Sequence, residues 1–386
     1  MRVALLTGEY PPQPGGVGDY TRRLAAALRA RRHEVAVLTI QEGAFTIYRD
    51  DGHASTLRQF GTRLDWSHRA WPAVIDALAA LRPAWLHIQY QTGAYALRPG
   101  LNALPWRLRG LAGHPRVAVT FHDLLVPYLF PKAGPLRAWA NTRLARDADA
   151  VVATNSADAA QLQAALGGQP APVVIPIGSN IPVEPPHGYD RRVWRTQLGV
   201  APDALLVAYF GLLSPSKGAT VLAEALARLA LPWRLLLVGG AATAPQDRAY
   251  AAAVQARLAA LGLADRVLAT GHVPSPIVSA HLLAADCAAL PFRDGASFRR
   301  GSLLAALEHG CPVVTTTPAD PATATALAPG AALLVPPDDP LALAAALARL
   351  AAEPTLGAAL AAAGRRLAAR FAWASIAAQH EQLYLA

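Results

Sequence analysis

Short apolar runs alternate with alanine-rich segments along this chain, and the alternation restricts the folds that are open to it. Five runs in the first half have the length and the Val, Ile and Leu content of buried strands: "RVALLTG" (2–8), "EVAVLTI" (34–40), "AWLHIQY" (84–90), "RVAVTFHD" (116–123) and "AVVATN" (150–155). The segments between them, such as 18–31 and 73–81, have helical periodicity. Strands that alternate with helices in this way predict a parallel, doubly wound α/β sheet.

A second series of the same kind follows. Its strand-like runs are "LLVAYFG" (205–211), "RLLLVGG" (234–240), "RVLATGHV" (266–273), "CAALPF" (287–292), "PVVTTT" (312–317) and "AALLVPP" (331–337). The Pro- and Gly-rich stretch "PIGSNIPVEPPHGYD" (176–190) separates the two series and is typical of a linker. We therefore predict two Rossmann-like domains, 1–180 and 204–368, joined by a linker at 181–203. Ligands of such sheets bind at the carboxyl ends of the strands, so a cleft between two facing domains is the expected site.

Composition excludes several classes of protein. Of 386 residues, 53% are hydrophobic and only 16% are charged, which excludes a disordered chain and favours a globular one. Cys287 and Cys311 are the only cysteines, which argues against a disulfide framework and favours a reducing compartment. We expect no targeting segment, because the apolar run at the start of the chain is short and is interrupted by Glu9 and Pro11.

The net charge of +9 is unevenly distributed. Residues 1–176 contain 19 Lys and Arg against 12 Asp and Glu, whereas residues 177–386 contain 16 against 14. An excess of +7 in the first half indicates an anionic partner for that half, although a genomic bias toward arginine explains the total equally well. Only Lys132 and Lys217 are lysines.

A glycine-rich loop follows the first predicted strand. "GEYPPQPGGVGDYTRRL" (8–24) leads into a helix, and Gly16 and Val17 stand at its start, where backbone amides are available to an anion. The loop does not match a dinucleotide fingerprint, because the pattern that begins at Gly16 requires glycine where Thr21 stands. The alternative is an ordinary turn between a strand and a helix.

Two loops in the second half carry basic residues to predicted helix starts. "FGLLSPSKG" (210–218) places Lys217 before a helix, and an ammonium group there suits a phosphate oxygen. "DGASFRRGSLLAALEHGCPVV" (294–314) places Arg299 and Arg300 before the amides of residues 301–303. Both loops predict an anion site, and a surface lysine is the alternative for Lys217.

Two further motifs bear on chemistry. "TFHD" (120–123) carries His122 out of the fourth strand toward the same carboxyl edge, where a ligand-binding role competes with a structural one. "DADA" (147–150) lies at the opposite edge, which favours a structural role over a metal site, and "PPDDP" (336–340) predicts a helix N-cap. No spacing of His and Cys typical of a metal site is present.

Taken together, these motifs resemble the retaining glycosyltransferases of family 4 (glycosyl transferases group 1). The resemblance rests on the two glycine loops, on "GHVPSPIVSAHLLAADCAALPF" (271–292) and on "SLLAALEHGCPVVTT" (302–316), in that order along the chain. It implies the GT-B fold, with two Rossmann-like domains facing across a cleft. "FAWASIAAQHEQLY" (371–384) is similar to the family's last helix, so residues 369–386 are expected to return to the first domain.

The resemblance also implies roles for individual residues. His122 matches the histidine near the transferred sugar, Lys217 matches the lysine of the donor phosphates, and Gly16 and Val17 match the loop beside the donor diphosphate and the acceptor. The predicted catalytic residues are His122, Lys217 and Arg300. The predicted donor site comprises Gly16, Val17, Gly211, Lys217, His272, Val273, Asp294, Ser297, Arg299, Arg300, Gly301, Ser302 and Leu303.

The chain departs from the family pattern at three positions. Leu212 stands where the family usually has arginine, and Ser297 and Ala305 stand where a Glu-x7-Glu pair would touch the donor sugar and the ribose hydroxyls. Glu308 lies about one helical turn further on. Arg299 and Arg300 are expected to replace the missing positive charge.

The resemblance implies transfer of a sugar from a nucleotide-diphosphate sugar to an acceptor hydroxyl, with retention and without a metal or any other cofactor. An epimerase or a phosphorylase on the same fold is one alternative, and a catalytically silent nucleotide-sugar-binding subunit is another, because both carboxylates are absent. We expect a cytoplasmic protein with no nucleic-acid partner.

The acceptor is expected to be a glycan, a lipid-linked glycan or a small molecule. "LPWRLRG" (104–110) and "PLRAWANTRLAR" (135–146) interleave Trp, Leu and Arg, a pattern that indicates peripheral association with the anionic inner face of a membrane. Ordinary amphipathic helices packed on a sheet are the alternative.

Overall fold

The computed structural model describes residues 1–13, 15–49, 54–56, 63–124, 134–168, 170–239 and 245–386. Pro14 and Gly240, which belong to predicted motifs, and Lys132 lie outside these residues. The chain divides into two compact units. The first comprises Met1–Gly178 together with Trp373–Ala386, and the second comprises Ser179–Ala372.

An eight-stranded sheet forms the centre of the first unit. Its strands are β1 (Arg2–Thr7), β2 (Glu34–Gln41), β3 (Ala44–Tyr48), β4 (Ala54–Thr56), β5 (Trp85–Tyr90), β6 (Arg116–Phe121), β7 (Ala150–Ala153) and β8 (Val173–Val174). They lie in the order β4-β3-β2-β1-β5-β6-β7-β8. β3 pairs antiparallel with β2 and with β4, and the other neighbours pair in parallel.

Both faces of this sheet are covered. Alternate residues of β1 enter different core clusters, with Val3 and Leu5 on one face and Ala4 and Leu6 on the other. Burial on both faces explains why these strands are continuous apolar runs in the sequence. The helices that precede the second unit are α1 (Gly16–Ala30), α2 (Trp71–Leu81), α3 (Leu104–Arg109), α4 (Gly134–Arg146) and α5 (Ser156–Leu166).

The second unit contains a six-stranded sheet whose neighbours all pair in parallel. Its strands are β9 (Leu205–Phe210), β10 (Trp233–Val238), β11 (Val267–Gly271), β12 (Cys287–Leu290), β13 (Val313–Thr316) and β14 (Leu333–Val335), in the order β11-β10-β9-β12-β13-β14. Its helices are α6 (Arg191–Gln197), α7 (Ala219–Leu226), α8 (Pro245–Ala260), α9 (Ser275–Ala284), α10 (Gly301–Glu308), α11 (Pro321–Leu327), α12 (Pro340–Ala352) and α13 (Pro354–Ala368). Asp339 caps α12 by accepting the amides of Leu341 and Ala342, so the predicted N-cap is confirmed.

The last helix, α14 (Trp373–Leu385), belongs to the first unit although it is the last element of the chain. Ile376 and Ala377 are fully buried in the same cluster as residues of α1 and β1. At the end of α1, Arg31 and His33 both bind the carboxylate of Glu381, with 3.0 Å between His33 Nε2 and Glu381 Oε1. The predicted return of the C-terminal helix to the first domain is confirmed.

Each of the predicted strand-like runs contains an observed strand, so the predicted fold class is confirmed. β3, β4 and β8 were not predicted, because they are short and lie at or near a sheet edge; both residues of β8 are exposed valines. The predicted linker at 181–203 includes helix α6, which is part of the second unit. Among the described residues no single helix is long and apolar enough to cross a membrane, and only a bent pair beginning at Pro340 reaches that length and composition.

Candidate active site

The loops that follow the strands of the second sheet carry most of the predicted donor site. β9 lies between β10 and β12, and all three run in parallel, so the residues that follow them lie at one edge of the sheet. The loop after β12 also binds the loop after β9 directly, because the amide of Arg293 donates to Ser216 O at 2.9 Å. The structure thus brings Lys217 and Arg300 together from segments about 80 residues apart.

Glycine is required twice in the loop after β9. Gly211 has φ +129°, and a Cβ atom there would lie 2.7 Å from Lys217 Nζ. Gly218 has φ +66°, and a Cβ atom there would lie 2.1 Å from Pro291 O. A side chain at either position would be strained and would displace the lysine or the strand end beside it. These glycines therefore let the Lys217 ammonium lie against the backbone.

The Lys217 side chain is half-buried, and its charge is poorly compensated. Burial, and to a smaller extent the nearby Arg300 guanidinium, lowers its pKa to about 8, and Asp247 acts in the opposite direction. Within the described residues its Nζ has no hydrogen-bond or ion-pair partner. The ammonium is still protonated at neutral pH, and an anion beside it would raise its pKa.

Arg300 is held at the N-terminus of α10. Its guanidinium pairs with the Asp294 carboxylate, donates to Ser216 Oγ at 3.4 Å and lies 4.9 Å from the centre of the Phe292 ring. Asp294 is mostly exposed, whereas the Arg300 side chain is only 20% exposed. The predicted donor residue Asp294 is therefore bonded to Arg300 in the protein itself.

The start of α10 offers fewer amides than the sequence predicts. The amide of Leu303 donates to Arg300 O at 3.0 Å, so this predicted contact is already used by the protein. Gly301 and Ser302, the first two residues of the helix, have no intrahelical acceptor. The amide of Arg299 donates to Ser297 Oγ at 3.3 Å, which orders the turn before the helix.

Other predicted donor residues lie further along the same edge. His272 and Val273 follow β11, the edge strand; His272 is exposed, and Val273 packs against the core. Within the described part of the chain, neither forms a hydrogen bond or ion pair with Lys217 or Arg300. Their contribution to donor binding stays a prediction.

The glycine loop of the first unit already holds an anion that belongs to the protein. Glu9 Oε1 accepts the amides of Val17 at 2.9 Å and Gly18 at 3.3 Å. Burial raises the pKa of Glu9, although the two amide bonds oppose this shift. The expectation that the Val17 amide is open to a ligand is therefore wrong for this structure. Gly16 is exposed, with nothing within 4 Å of its Cβ position.

His122 lies in the first unit, just after β6, where it contacts groups from two other elements. Its Nε2 is 3.1 Å from Gln89 Oε1 of β5, and its ring meets the Tyr20 ring of α1 edge-on at 4.6 Å. Two further histidines are fully buried nearby. His87 on β5 and His380 on α14 have ring centres 5.3 Å apart.

These histidines are held neutral by burial. Burial, with a smaller contribution from the neighbouring His380, lowers the pKa of His122 to about 3. Burial likewise lowers the pKa of His380 to about 4, and that of His87 well below its usual value. His87 bonds to Tyr384 Oη at 2.6 Å and to Thr120 Oγ1 at 2.7 Å. Sequence reasoning singled out only His122 among them; the signal for His87 was a polar residue inside an apolar strand.

The part of the chain that the structure describes contains no candidate metal site. Among the described residues, no group of three or more His, Cys, Asp or Glu side chains is arranged to hold a metal ion. The two aspartates of the "DADA" motif have structural partners. Asp147 pairs with Arg143 at 3.2 Å and Arg109 at 3.5 Å, and Asp149 Oδ2 accepts the Val117 amide at 2.7 Å.

The buried histidines predict a loss of stability in weak acid. In the unfolded chain each has a pKa of about 6.5, so below that pH the unfolded state binds protons that the folded state does not. The free energy of unfolding should therefore fall as the pH drops from 6.5 to 5, by up to about 1.4 kcal/mol per pH unit for each fully buried histidine. Chemical denaturation at pH 5.0–7.5 measures it.

Replacing one of these histidines supplies the control. His380→Phe should reduce the number of protons taken up on unfolding by about one, and so lower the slope of the free energy of unfolding against pH. His187→Phe, at an exposed position, should not alter this slope. An unchanged slope in His380→Phe would contradict a neutral, buried His380.

Two family models match this chain, one within each unit. Residues 15–178 match the family model described as "Glycosyl transferase 4-like domain", and residues 204–353 match "Glycosyl transferases group 1". A D-inositol 3-phosphate glycosyltransferase of Kineococcus radiotolerans is 30% identical over 61% of this chain and 57% of its own length. One from Jonesia denitrificans is 27% identical over 96% of this chain and 93% of its own length. The chain thus spans little more than half the length of the Kineococcus protein and nearly the full length of the Jonesia protein.

Solved structures agree on the fold. Sucrose-phosphate synthase from Thermosynechococcus elongatus has a TM-score of 0.78 at 24% identity, covering 100% of this chain and 98% of its own. HepE from Anabaena, solved in complex with UDP-glucose, has a TM-score of 0.72 at 21% identity and covers both chains fully. The two family models together account for most of both units, and the chain belongs to the family 4 glycosyltransferases (glycosyl transferases group 1), with the GT-B fold.

Proposed function

We propose that this protein transfers a sugar from a nucleotide-diphosphate sugar to an acceptor hydroxyl, with retention of anomeric configuration. One observation carries the proposal: Lys217 and Arg300 lie together at the carboxyl edge of a parallel sheet, and Lys217 has no anionic partner among the described residues. Two neighbouring cations repel each other, and an anion with charge spread over several oxygens relieves that repulsion. A diphosphate group has this property.

The relatives support the nature of the donor. Family membership and the UDP-glucose complex of HepE favour a nucleotide sugar, and the name of the inositol-phosphate glycosyltransferases favours glycosyl transfer. The base and the sugar of the donor are left open by the proposal, because Leu212, Ser297 and Ala305 replace the family's usual contacts.

In the proposed reaction the acceptor hydroxyl attacks the anomeric carbon from the face that the diphosphate leaves, through an oxocarbenium-like state. The bond to the diphosphate breaks, and the proton of the hydroxyl passes to an oxygen of the departing diphosphate. Lys217, Arg300 and the amides of Gly301 and Ser302 would stabilise the negative charge that develops on the leaving diphosphate. In comparable sites one such donor contributes about 10²–10³ in rate. His122 would orient the sugar or the acceptor. These cations and amides replace a metal ion, so we propose a metal-independent reaction.

A silent nucleotide-sugar-binding subunit is the second candidate. It is favoured by a specific observation, the replacement of the Glu-x7-Glu pair by Ser297 and by Ala305, which is fully buried. An epimerase is a further alternative on the same fold.

The first experiment separates these functions. The purified protein is incubated with UDP-, GDP-, ADP- and dTDP-sugars, with and without a mixture of glycan, lipid-linked and small-molecule acceptors, in parallel samples with and without saturating EDTA. Release of nucleotide only with acceptor, and an unchanged anomeric configuration in the product, are expected. Sugar isomerisation would identify an epimerase, binding without turnover would identify a silent subunit, and loss of turnover in EDTA would contradict metal independence.

Lys217 is the first residue to test within the site. Lys217→Ala should weaken donor binding or turnover at least tenfold, about 1.4 kcal/mol, because the diphosphate loses a charge-assisted hydrogen bond. Donor binding is measured by calorimetry at pH 7, with Arg192→Ala, an exposed cation of the same unit, as the control. A folded Lys217→Ala protein with unchanged affinity and rate would remove Lys217 from the site.

We further propose a cytoplasmic enzyme that binds the inner face of the membrane, where a lipid-linked or otherwise anionic glycan is the acceptor. The support is an exposed aromatic patch on α3 and α4. Trp106 is 54% exposed, Trp139 is 61% exposed and Leu136 is 71% exposed, while the Arg143 guanidinium lies 5.6 Å and 5.9 Å from the two Trp rings. Aromatic rings beside arginines suit the interface of an anionic bilayer.

Liposome co-sedimentation tests the membrane proposal. Binding should require anionic lipid and weaken in 1 M salt, where the Debye length is about 3 Å. Replacing Trp106 and Trp139 with Ser should reduce binding, whereas Leu341→Ser, at a 67% exposed position in the other unit, should not. Replacing Arg107 and Arg137 tests the charge separately, since Arg109 and Arg143 are bonded to Asp147. A protein that ignores anionic liposomes even at low salt would contradict the proposal.

A further inference from the structure

Gln89 is a fully buried polar residue at the carboxyl end of β5, beside His122. β5 pairs in parallel with β6, and Gln89 is in register with Thr120, two residues before His122. The Gln89 side chain reaches the imidazole, with 3.1 Å between its Oε1 and His122 Nε2. Its amide nitrogen is buried without a hydrogen-bond partner among the described residues. A buried amide that makes this one bond has a role in positioning as well as in packing.

The bond assigns different roles to the two nitrogens of His122. Because a carbonyl oxygen can only accept, the ring must donate from Nε2, and the neutral ring then carries its lone pair on Nδ1. Nδ1 has no hydrogen-bond partner within the described residues, and the side chain is only half-buried. The nitrogen left for a ligand is therefore an acceptor.

The groups around His122 favour the neutral ring. Tyr20 contacts it from α1, His87 and Gln89 belong to β5, and His380 and Tyr384 belong to α14. Burial raises the pKa values of Tyr20 and Tyr384. His380 donates from Nδ1 to Ile376 O at 2.9 Å, as a neutral ring can. The neighbouring carboxylate of Asp123 accepts a hydrogen bond from Gln91 Nε2 at 2.6 Å.

We propose that Gln89 is a positioning residue that holds His122 in the Nε2–H tautomer, so that His122 accepts a hydrogen bond from a sugar or acceptor hydroxyl through Nδ1. Under this proposal, which rests on the proposed function of the site, His122 does not act as a general acid. The C-terminal helix contributes through His380, which disfavours a positive charge on the ring.

The tautomer can be measured without any substitution. In the full-length protein with ¹⁵N-labelled histidine, long-range ¹H–¹⁵N spectra distinguish the protonated ring nitrogen from the one that carries the lone pair. We expect a protonated Nε2 and a lone pair on Nδ1 for His122 throughout pH 6–8, and His122→Gln identifies its signals. A protonated Nδ1, or an imidazolium in this range, would overturn the proposal even if the protein had no transferase activity.

Gln89→Glu is the sharper functional test. A carboxylate within hydrogen-bonding distance of His122 Nε2 favours the protonated ring, the imidazolium. The introduced glutamate and His122 would therefore share a proton that glutamine and His122 do not bind in the wild-type protein. We expect kcat/KM of the variant to fall at least tenfold from pH 8 to pH 6 relative to wild type, with His122 becoming protonated in the same range. Gln161→Glu, at an exposed position on α5, is the matched charge control and should behave as wild type.

Gln89→Leu separates positioning from packing. It removes the acceptor, so a second tautomer of His122 should become populated in the folded variant. A folded Gln89→Leu protein with one unchanged tautomer would overturn the proposal. So would a Gln89→Glu protein with the wild-type pH profile. Failure of donor binding in the wild-type protein would instead contradict the proposed function.

Discussion

Strand β9 pairs with β10 on one side and with β12 on the other, and the candidate donor site depends on this arrangement. Parallel strands present their carboxyl ends at one edge, so the loop that contains Lys217 and the loop that ends at Arg300 must lie side by side. The backbone bond from Arg293 to Ser216 and the side-chain bond from Arg300 to Ser216 join the two loops. The cations are thus positioned by the sheet rather than by each other.

Holding these cations together has an electrostatic cost that a ligand can relieve. Lys217 is desolvated and repelled by Arg300, which is why its pKa falls to about 8. The protein relieves only part of the repulsion, because Asp294 pairs with Arg300 whereas Lys217 has no ion-pair partner among the described residues. In the first unit, by contrast, the protein itself supplies the anion at the glycine loop. There Glu9 accepts the amides at the start of α1, so the two glycine loops, which both lie between a strand and a helix, differ in what they offer to an anion.

The polar layer around His122 links the site to the end of the chain. α14 covers β5 with His380 and Tyr384, and Tyr384 continues the hydrogen bonding through His87 to Thr120. Burying the imidazoles of His87 and His380 is favourable only while they are neutral, and the neighbouring His380 disfavours a positive charge on His122. The last helix is therefore part of the environment of the candidate sugar-binding histidine.

Local patterns in the sequence were enough to predict most of the strands, the two glycine loops, and Lys217, Arg300 and His122 as residues at strand or helix ends. A strand buried on both faces must be apolar throughout, and a tight loop must contain glycine, so each leaves a local mark. The hydrogen-bond partners of these residues leave no such local mark in the sequence. Three hydrogen bonds illustrate this: Glu9 to Val17, Gln89 to His122, and the carbonyl of Arg300 to the amide of Leu303. Each depends on strand register, loop path and rotamer, and only tertiary packing selects among the acceptors within reach. The sequence by itself determined which types of residue stand at the site and in what order. The folded structure decided which of their polar groups remain open to a ligand, because a hydrogen bond made within the protein removes a donor from the site.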